Sequence, residues 1–346
     1  MRNADETNSS QGPWRITLDT NPDHCNYSCI MCECFSPYST VKLSRKEKRV
    51  MDVSLIDKVL REAKKLGVRE VIPSTMGEPL LYKDFETIIG LCKELQLKLN
   101  LTTNGSWPIK GVKYWAEKIL PIASDIKISW NGITANTQEN IMRGSQLNRS
   151  IENLRYLLKK RDEIVASGIN YPTITLQLTF MNSNIEEIPK LIEWAGSIGI
   201  DRIKGHHLWA HFNEIQDQAI KLNPESIKKW NSIVDESYRI ASNCLRANGH
   251  KIKLEHFTHL DINLTTEVPK EAVCPFLGKE AWVNAEGDFN PCCAPDQERK
   301  SLGQFGNLYT QSLSEIWQSN AYAALKANYL DYPLCQRCNM RKVPGC

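Results

Sequence analysis

Three cysteines in one short stretch, Cys25, Cys29 and Cys32, are spaced C-x3-C-x2-C, and a fourth, Cys34, lies two residues beyond. Thiolates this close in sequence can wrap one face of an iron-sulfur cluster. Three of them occupy three irons of a four-iron cluster and leave the fourth open to another ligand, whereas four would close it. Zinc is the alternative occupant, although it favours paired C-x2-C units and tetrahedral closure. A second group, Cys274, Cys292, Cys293, Cys335, Cys338 and Cys346, crowds the last quarter of the chain, and only Cys92 and Cys244 stand apart. A disulfide framework would suit a short secreted chain; in 346 residues with no signal-like start, twelve cysteines point instead to metal or cluster ligation. The Cys335-x2-Cys338 pair suits a zinc ribbon as well as a cluster.

Small polar motifs punctuate the chain between the two groups. Gly77-Glu78-Pro79, Thr102-Thr103-Asn104-Gly105, and Ser129 with Asn131-Gly132 each follow an expected strand, and Arg143 comes next in IMRG. Alone, each reads as turn chemistry. Together they sit just past strand C-termini, where barrel active sites are built. His206, His207 and Trp209 follow a further strand, with His211 close behind. Strand alternation sends His206 and His207 to opposite sides, so at most one faces the interior; ordinary packing histidines are the competing reading.

Positioning these residues requires strands at regular intervals. Runs of β-branched and aliphatic residues at 14–19, 70–74, 98–103, 125–130, 173–180 and 202–208 alternate with amphipathic helices. Leu55, Ile56, Val59, Leu60, Ala63 and Leu66 form one helical stripe, closed by Gly67, and Ile185 through Ile198 form another, closed by Gly199. Six β-α units define an α/β fold, a partial (β/α)6 TIM-like barrel. The expected division is an N-terminal extension at 1–20, a barrel core at 21–220 with its first strand from about 14, a linker at 221–266, and a small cysteine-rich domain at 267–346. The linker carries a polar helix, 224–247, and a short strand, 251–255.

CNYSCIMC resembles the signature of radical S-adenosylmethionine (SAM) enzymes. The resemblance implies a [4Fe-4S] cluster on Cys25, Cys29 and Cys32 whose open iron chelates the amino and carboxylate groups of SAM. Reductive cleavage of SAM would then give a 5'-deoxyadenosyl radical that abstracts a substrate hydrogen atom. Gly77-Glu78-Pro79 resembles the family's GGEP motif, with Met76 at its first glycine, and implies backbone and carboxylate contacts to the SAM amino group. Thr103 and Asn104 resemble the TNG segment near the ribose, Ser129 the serine of S-x-D-G with Asn131 replacing the aspartate, and Arg143 an arginine that meets the SAM carboxylate. Cys34 falls outside the pattern and is read as a spare thiol. Cys274, Gly287-x4-Cys292 and Cys335-x2-Cys338, with WVNAEGDFNPCC and GNLYTQSLSEIW between them, resemble SPASM and Twitch extensions. That likeness implies one auxiliary [4Fe-4S] cluster on Cys274, Cys292, Cys335 and Cys338. The cysteine count favours the single-cluster Twitch form and leaves Cys293 and Cys346 unassigned.

An auxiliary cluster at the barrel mouth would accept an electron from a substrate radical, return one, or bind substrate. The expected outcomes are oxidation, cross-linking or, with a thiol hydrogen donor, epimerisation; Cys34, Cys244 and Cys293 are the donor candidates, and His206 or His207 an acid-base candidate. The substrate expected is a peptide or protein, and the alternative is a small polar molecule such as an aminocyclitol or sugar. The 24 residues before Cys25 are read as too few for a leader-peptide-binding domain. A reducing partner such as flavodoxin or ferredoxin is expected. A non-catalytic iron-sulfur or zinc protein is the third reading, which gives the ordered motifs no reason to converge. Forty-three basic and forty acidic residues are interspersed, so neither nucleic acid nor membrane is an expected partner. No apolar run suits a bilayer span or signal peptide, and the expected location is the cytoplasm.

Overall fold

The computed structural model describes residues 12–40, 47–74, 76–244, 249–262, 268, 270–294, 296–338 and 340–343. Cys346 and the expected 266/267 boundary lie outside the described residues. Alternation of apolar and polar residues makes strands that are dry on one side only. They are β1 Arg15–Leu18, β2 Glu70–Ile72, β3 Lys98–Thr103, β4 Ala123–Ser129, β5 Thr173–Phe180, β6 Arg202–His207, β7 Lys253–Glu255, β8 Glu280–Val283 and β9 Phe289–Asn290. The second strand stops short of its expected end because Pro73 has no N–H to give the ladder.

All nine strands form one sheet in the order β7-β6-β5-β4-β3-β2-β1-β8-β9, parallel throughout except for the β8-β9 hairpin. It is an open α/β sheet wider than the six-strand core expected: the short strand expected at 251–255 joins one edge as β7, and β8 and β9 extend the other. Strand β7 closes one edge. At the other, β1 has backbone groups that β2 does not engage, and β8 from the cysteine-rich segment pairs with them in register Arg15↔Glu280 to Leu18↔Val283.

Helices α1 Val53–Lys65, α2 Phe85–Glu94, α3 Gly111–Ile119, α4 Ala135–Ile141, α5 Leu147–Ala166, α6 Ile188–Ser197 and α7 Pro224–Asn243 connect the parallel strands. Their apolar stripes share one core with Ile16, Leu18, Val71, Leu99, Leu101, Ile126, Ile174, Leu176 and Ile203. Each such aliphatic side chain contributes about 1.5–3 kcal/mol on burial. The start of α1 shows why it begins where it does: the Asp52 carboxylate accepts from Ser54 N at 2.7 Å, satisfying an orphan donor.

After β9 come α8 Asp296–Arg299, α9 Leu313–Trp317, α10 Asn320–Asn328 and α11 Pro333–Gln336. This segment docks on α1 through polar ties. Lys58 Nζ donates to Gln311 O at 3.0 Å, and Leu313 N donates to Glu62 Oε2 at 2.7 Å. Among the described residues no helix is long and apolar enough to cross a membrane.

Candidate active site and cofactor region

The loop after β1 carries Cys25, Cys29, Cys32 and Cys34, and three of the motif segments hold it by hydrogen bonds. Glu78 N donates to His24 O at 2.8 Å. Gly77, at φ 75°, passes so close that a Cβ would lie 2.4 Å from Asn21 O and 2.8 Å from His24 O, so only glycine fits there. Asn104 Nδ2 donates to Asn26 Oδ1 at 2.9 Å and lies 3.8 Å from Cys25 Sγ. Ser28 N donates to Arg143 O at 2.8 Å, and Ile30 N to Ile141 O at 3.0 Å. The exposed Arg143 guanidinium stands 5.8 Å from the Tyr38 ring.

Ser129 ends β4, half-buried. Asn131 is drawn away from the cysteine loop, since its Oδ1 accepts from Thr179 N at 2.8 Å on β5. Beneath the loop, Tyr27 packs with Ile141, Met142, Met181 and Leu208, and Cys25 and Cys29 rest on that cluster. A cavity of about 190 Å³ opens beside it, bordered by Asn26, Ser106, Gly144 and Arg149.

Glu78 is only 1% exposed, and its carboxylate points inward. Thr103 Oγ1 and Leu80 N donate to Oε1 at 2.8 and 3.2 Å, and Asn104 N donates to Oε2 at 2.7 Å. Burial pushes its carboxyl up to about 7 in spite of these donors. The acid thus braces the turn after β2 against the turn after β3, a role the motif resemblance does not reveal.

The thiols of the loop repel one another as anions. Burial, reinforced by the charges of Glu78 and Cys32, pushes Cys25 up to about 11, and burial likewise raises Cys29 and Cys32. Cys34, beside Cys32, is pushed up by burial to about 12. Such a group becomes a set of thiolates only against a strong local positive charge, which the irons of a cluster supply. Among the described residues no three His, Cys, Asp or Glu side chains are close enough to cage a single metal ion. Three thiols on one loop, Cys25, Cys29 and Cys32, fit three corners of a four-iron cluster.

The second set of thiols lines a larger cavity, about 990 Å³, between the end of β6 and the C-terminal segment. Cys274, Cys292, Cys293, Cys335 and Cys338 share its wall with His206, His207, Trp209 and His211. Cys335 is pushed up to about 12 by burial and then by the charges of Cys292, Cys274 and Cys338, so these four thiols feel one another. Arg341 ties their loops together by donating to Ala272 O at 2.8 Å and Gln336 O at 3.2 Å. Cys293 is exposed, whereas Cys244 caps α7 against α6, its Sγ 4.0 Å from Glu193 O, and does not line the cavity.

Both histidines border the cavity, but their rings point apart. His207 turns to the helix side, 5.4 Å from the Phe180 ring and 4.9 Å from Trp230, with neither ring nitrogen hydrogen-bonded among the described residues. His206 turns inward, its ring 5.2 Å from that of His256. His256 was not singled out by sequence reading; it sits at φ 67° directly after β7. Also unforeseen is a belt of paired charges across the concave face. Arg15 bonds Glu70 and Glu280, Asp125 bonds Arg202, and Glu255 bonds both Arg202 and Lys253.

The fold and the paired cysteine sets define an iron-sulfur enzyme of barrel type, and the chain belongs to the radical SAM superfamily, whose model matches residues 22–195. Residues 274–339 match the SPASM iron-sulfur cluster-binding domain, whereas the cysteine count alone favours the Twitch form. With these matches come [4Fe-4S] clusters, one catalytic and one or more auxiliary, and SAM as cofactor. The tungsten-containing aldehyde ferredoxin oxidoreductase cofactor-modifying protein of Pyrococcus furiosus is 26% identical over 92% of this chain and 85% of its own length. The PqqA peptide cyclase of Methylorubrum extorquens is 27% identical over 90% of this chain and 76% of its own. SuiB of Streptococcus suis, solved with its precursor peptide SuiA, superposes with a TM-score of 0.65 at 16% identity, over 97% of this chain and 72% of that one.

Proposed function

We propose that this chain is a peptide- or protein-modifying radical SAM enzyme. The observation that carries the reading is the 990 Å³ cavity in which the C-terminal thiols and the barrel-mouth residues His206, Trp209 and His211 face one space. The auxiliary cluster would take the part of this space beside the four thiols, and a substrate the part beside His206, Trp209 and His211. The likeness to a peptide cyclase over nine-tenths of the chain supports the same class of substrate.

In this reading Cys25, Cys29 and Cys32 hold the SAM cluster, and Cys274, Cys292, Cys335 and Cys338 hold one auxiliary cluster. When bound, the first would supply the electron for reductive cleavage of SAM, and the second would offer a one-electron acceptor or donor beside the substrate. The chain's own residues do the positioning. Gly77 brings backbone next to the cysteine loop, Glu78 locks two turns together, Thr103, Asn104 and Ser129 line the SAM side, and Arg143 presents a cation for the SAM carboxylate. Cytoplasmic flavodoxin or ferredoxin would be the electron source. The outcome would be cross-linking or another oxidation, with Cys293, exposed at the cavity, as hydrogen donor if the product is an epimer.

The test is anaerobic reconstitution with iron and sulfide, then incubation with SAM, dithionite and a short peptide encoded beside the gene. Expected are 5'-deoxyadenosine, methionine and a peptide lighter by a hydrogen pair. Formation of 5'-deoxyadenosine with an unchanged peptide would favour the second reading, modification of a small polar molecule, which the likeness to a cofactor-modifying protein supports. No 5'-deoxyadenosine at all would sink both.

A further inference from the structure

We propose that Lys204, His206, His256 and Lys342 form a carboxylate-binding subsite for an acidic residue of the substrate. This deepens the peptide reading and rests on it. The four groups come from three separate chain segments and meet at the cavity. Lys204 and His206 lie on the inward face of β6, His256 follows β7, and Lys342 reaches in from the C-terminal segment through the Val273↔Lys342 bridge.

The geometry leaves a positive excess at this spot. On the concave face below, Arg15, Lys127, Arg202 and Lys253 each have a carboxylate partner among Glu70, Glu280, Asp125 and Glu255. Lys204 makes no hydrogen bond or ion pair among the described residues; the acids whose charge reaches it, Glu255 and Asp125, are bonded to other cations. Glu255 also lines the cavity, but Arg202 holds it at 3.0 Å and Lys253 at 3.1 Å. His256 Nδ1 lies 3.1 Å from Gly205 O, an acceptor, so this nitrogen carries the hydrogen. Its Nε2 then offers a lone pair to the Lys342 ammonium 3.3 Å away. That contact fixes Lys342 at the cavity edge with donors to spare.

His206 reports the resulting field. Burial and then Lys204, His256, Lys342 and Lys127 push its pKa down to about 4. Two ammonium groups face the cavity next to neutral imidazoles, and the one acid on its wall among the described residues, Glu255, is already shared by Arg202 and Lys253, so an incoming anion completes them. The left-handed backbone of His256 places that ring where an ordinary extended residue after β7 would not.

The test uses the reconstituted full-length protein and two capped tripeptides, N-acetyl-Ala-Glu-Ala-amide and its glutamine counterpart, titrated calorimetrically with inorganic phosphate as a third ligand. The glutamate peptide should bind about tenfold more tightly than the glutamine peptide. Lys204→Met should erase that preference and Lys204→Arg should restore it, while peptide-independent 5'-deoxyadenosine formation stays unchanged. Equal binding of the two peptides, no binding of either, or phosphate outcompeting the glutamate peptide would each overturn the subsite. So would a Lys204→Met variant whose only change is in the auxiliary-cluster signal, because the charges would then serve the cluster. Unaltered processing of a peptide by Lys204→Met would reject the subsite and leave the peptide reading intact. Selective glutamate binding with no peptide ever modified would reject that reading alone.

Discussion

At the scale of single residues, the proposed function divides the chemistry between two sets of thiols. Replacing Cys25, Cys29 or Cys32 with alanine is expected to abolish 5'-deoxyadenosine formation, measured chromatographically under dithionite. Cys335→Ala should retain part of that cleavage while losing product. Equal losses in both sets would refute the division of labour. That the thiols gather in two places was legible, because cysteine spacing survives in sequence without any knowledge of folding. The direction of the Glu78 side chain was not, since a carboxylate in a loop reads as a ligand contact until its three donors are seen. His256 was hidden for a related reason: one histidine after a three-residue strand has no motif, and its importance arises from Lys342, 86 positions away.

At the scale of elements, alternation made most strands readable. Residues 98–103 and 173–180 are the strands expected, because branched and apolar residues recur on one face and hydroxyl or polar residues on the other. Strand β8 was not readable: four residues set among cysteines, prolines and glycines carry too little pattern, and their partner is far back in the chain. Two element-level outcomes follow from packing. The Phe180 ring covers Gly205 so closely that a Cβ would lie 1.9 Å from Cζ, and Gly205→Ala should lower urea stability by about 1–3 kcal/mol; an unshifted midpoint would show that the ring moves freely.

The loop after β4 hangs on Glu187, whose carboxylate accepts from Ile133 N at 2.7 Å, Thr134 N at 3.1 Å and the hydroxyls of Thr134 and Thr137 at 2.6 Å. Burial pushes its pKa up, but these donors outweigh burial and hold it below the usual glutamate value. The stabilisation is therefore complete above the unfolded pKa of about 4.3 and is lost as pH falls through the lower folded value. Glu187→Gln should cost about 1 kcal/mol at neutral pH. The gap should narrow in acid, as followed by thermal melts; a gap that widens there would contradict the assignment.

For the whole molecule, one sheet carries both cysteine groups. Strand β1 leads into the first thiol loop, and its parallel neighbour β8 leads toward Cys292, so their separation is set by strand register and not by a linker. The concave charge belt was equally invisible beforehand, because charged residues at alternate strand positions read as a solvent face until the sheet curls around them. A chain truncated before Glu280 should therefore lose more than its auxiliary ligands. It should aggregate during purification, as read by size-exclusion chromatography, whereas a Cys335→Ala chain should stay monodisperse; a monodisperse truncation would show that β1 does not need its neighbour.

That adjacency also sets a timetable. One whole side of strand β1 waits for a partner made some 265 residues later. Until then the nascent chain carries a raw margin beside the very loop that must receive its iron. A cell making this protein has reason to shield that margin until β8 has been made.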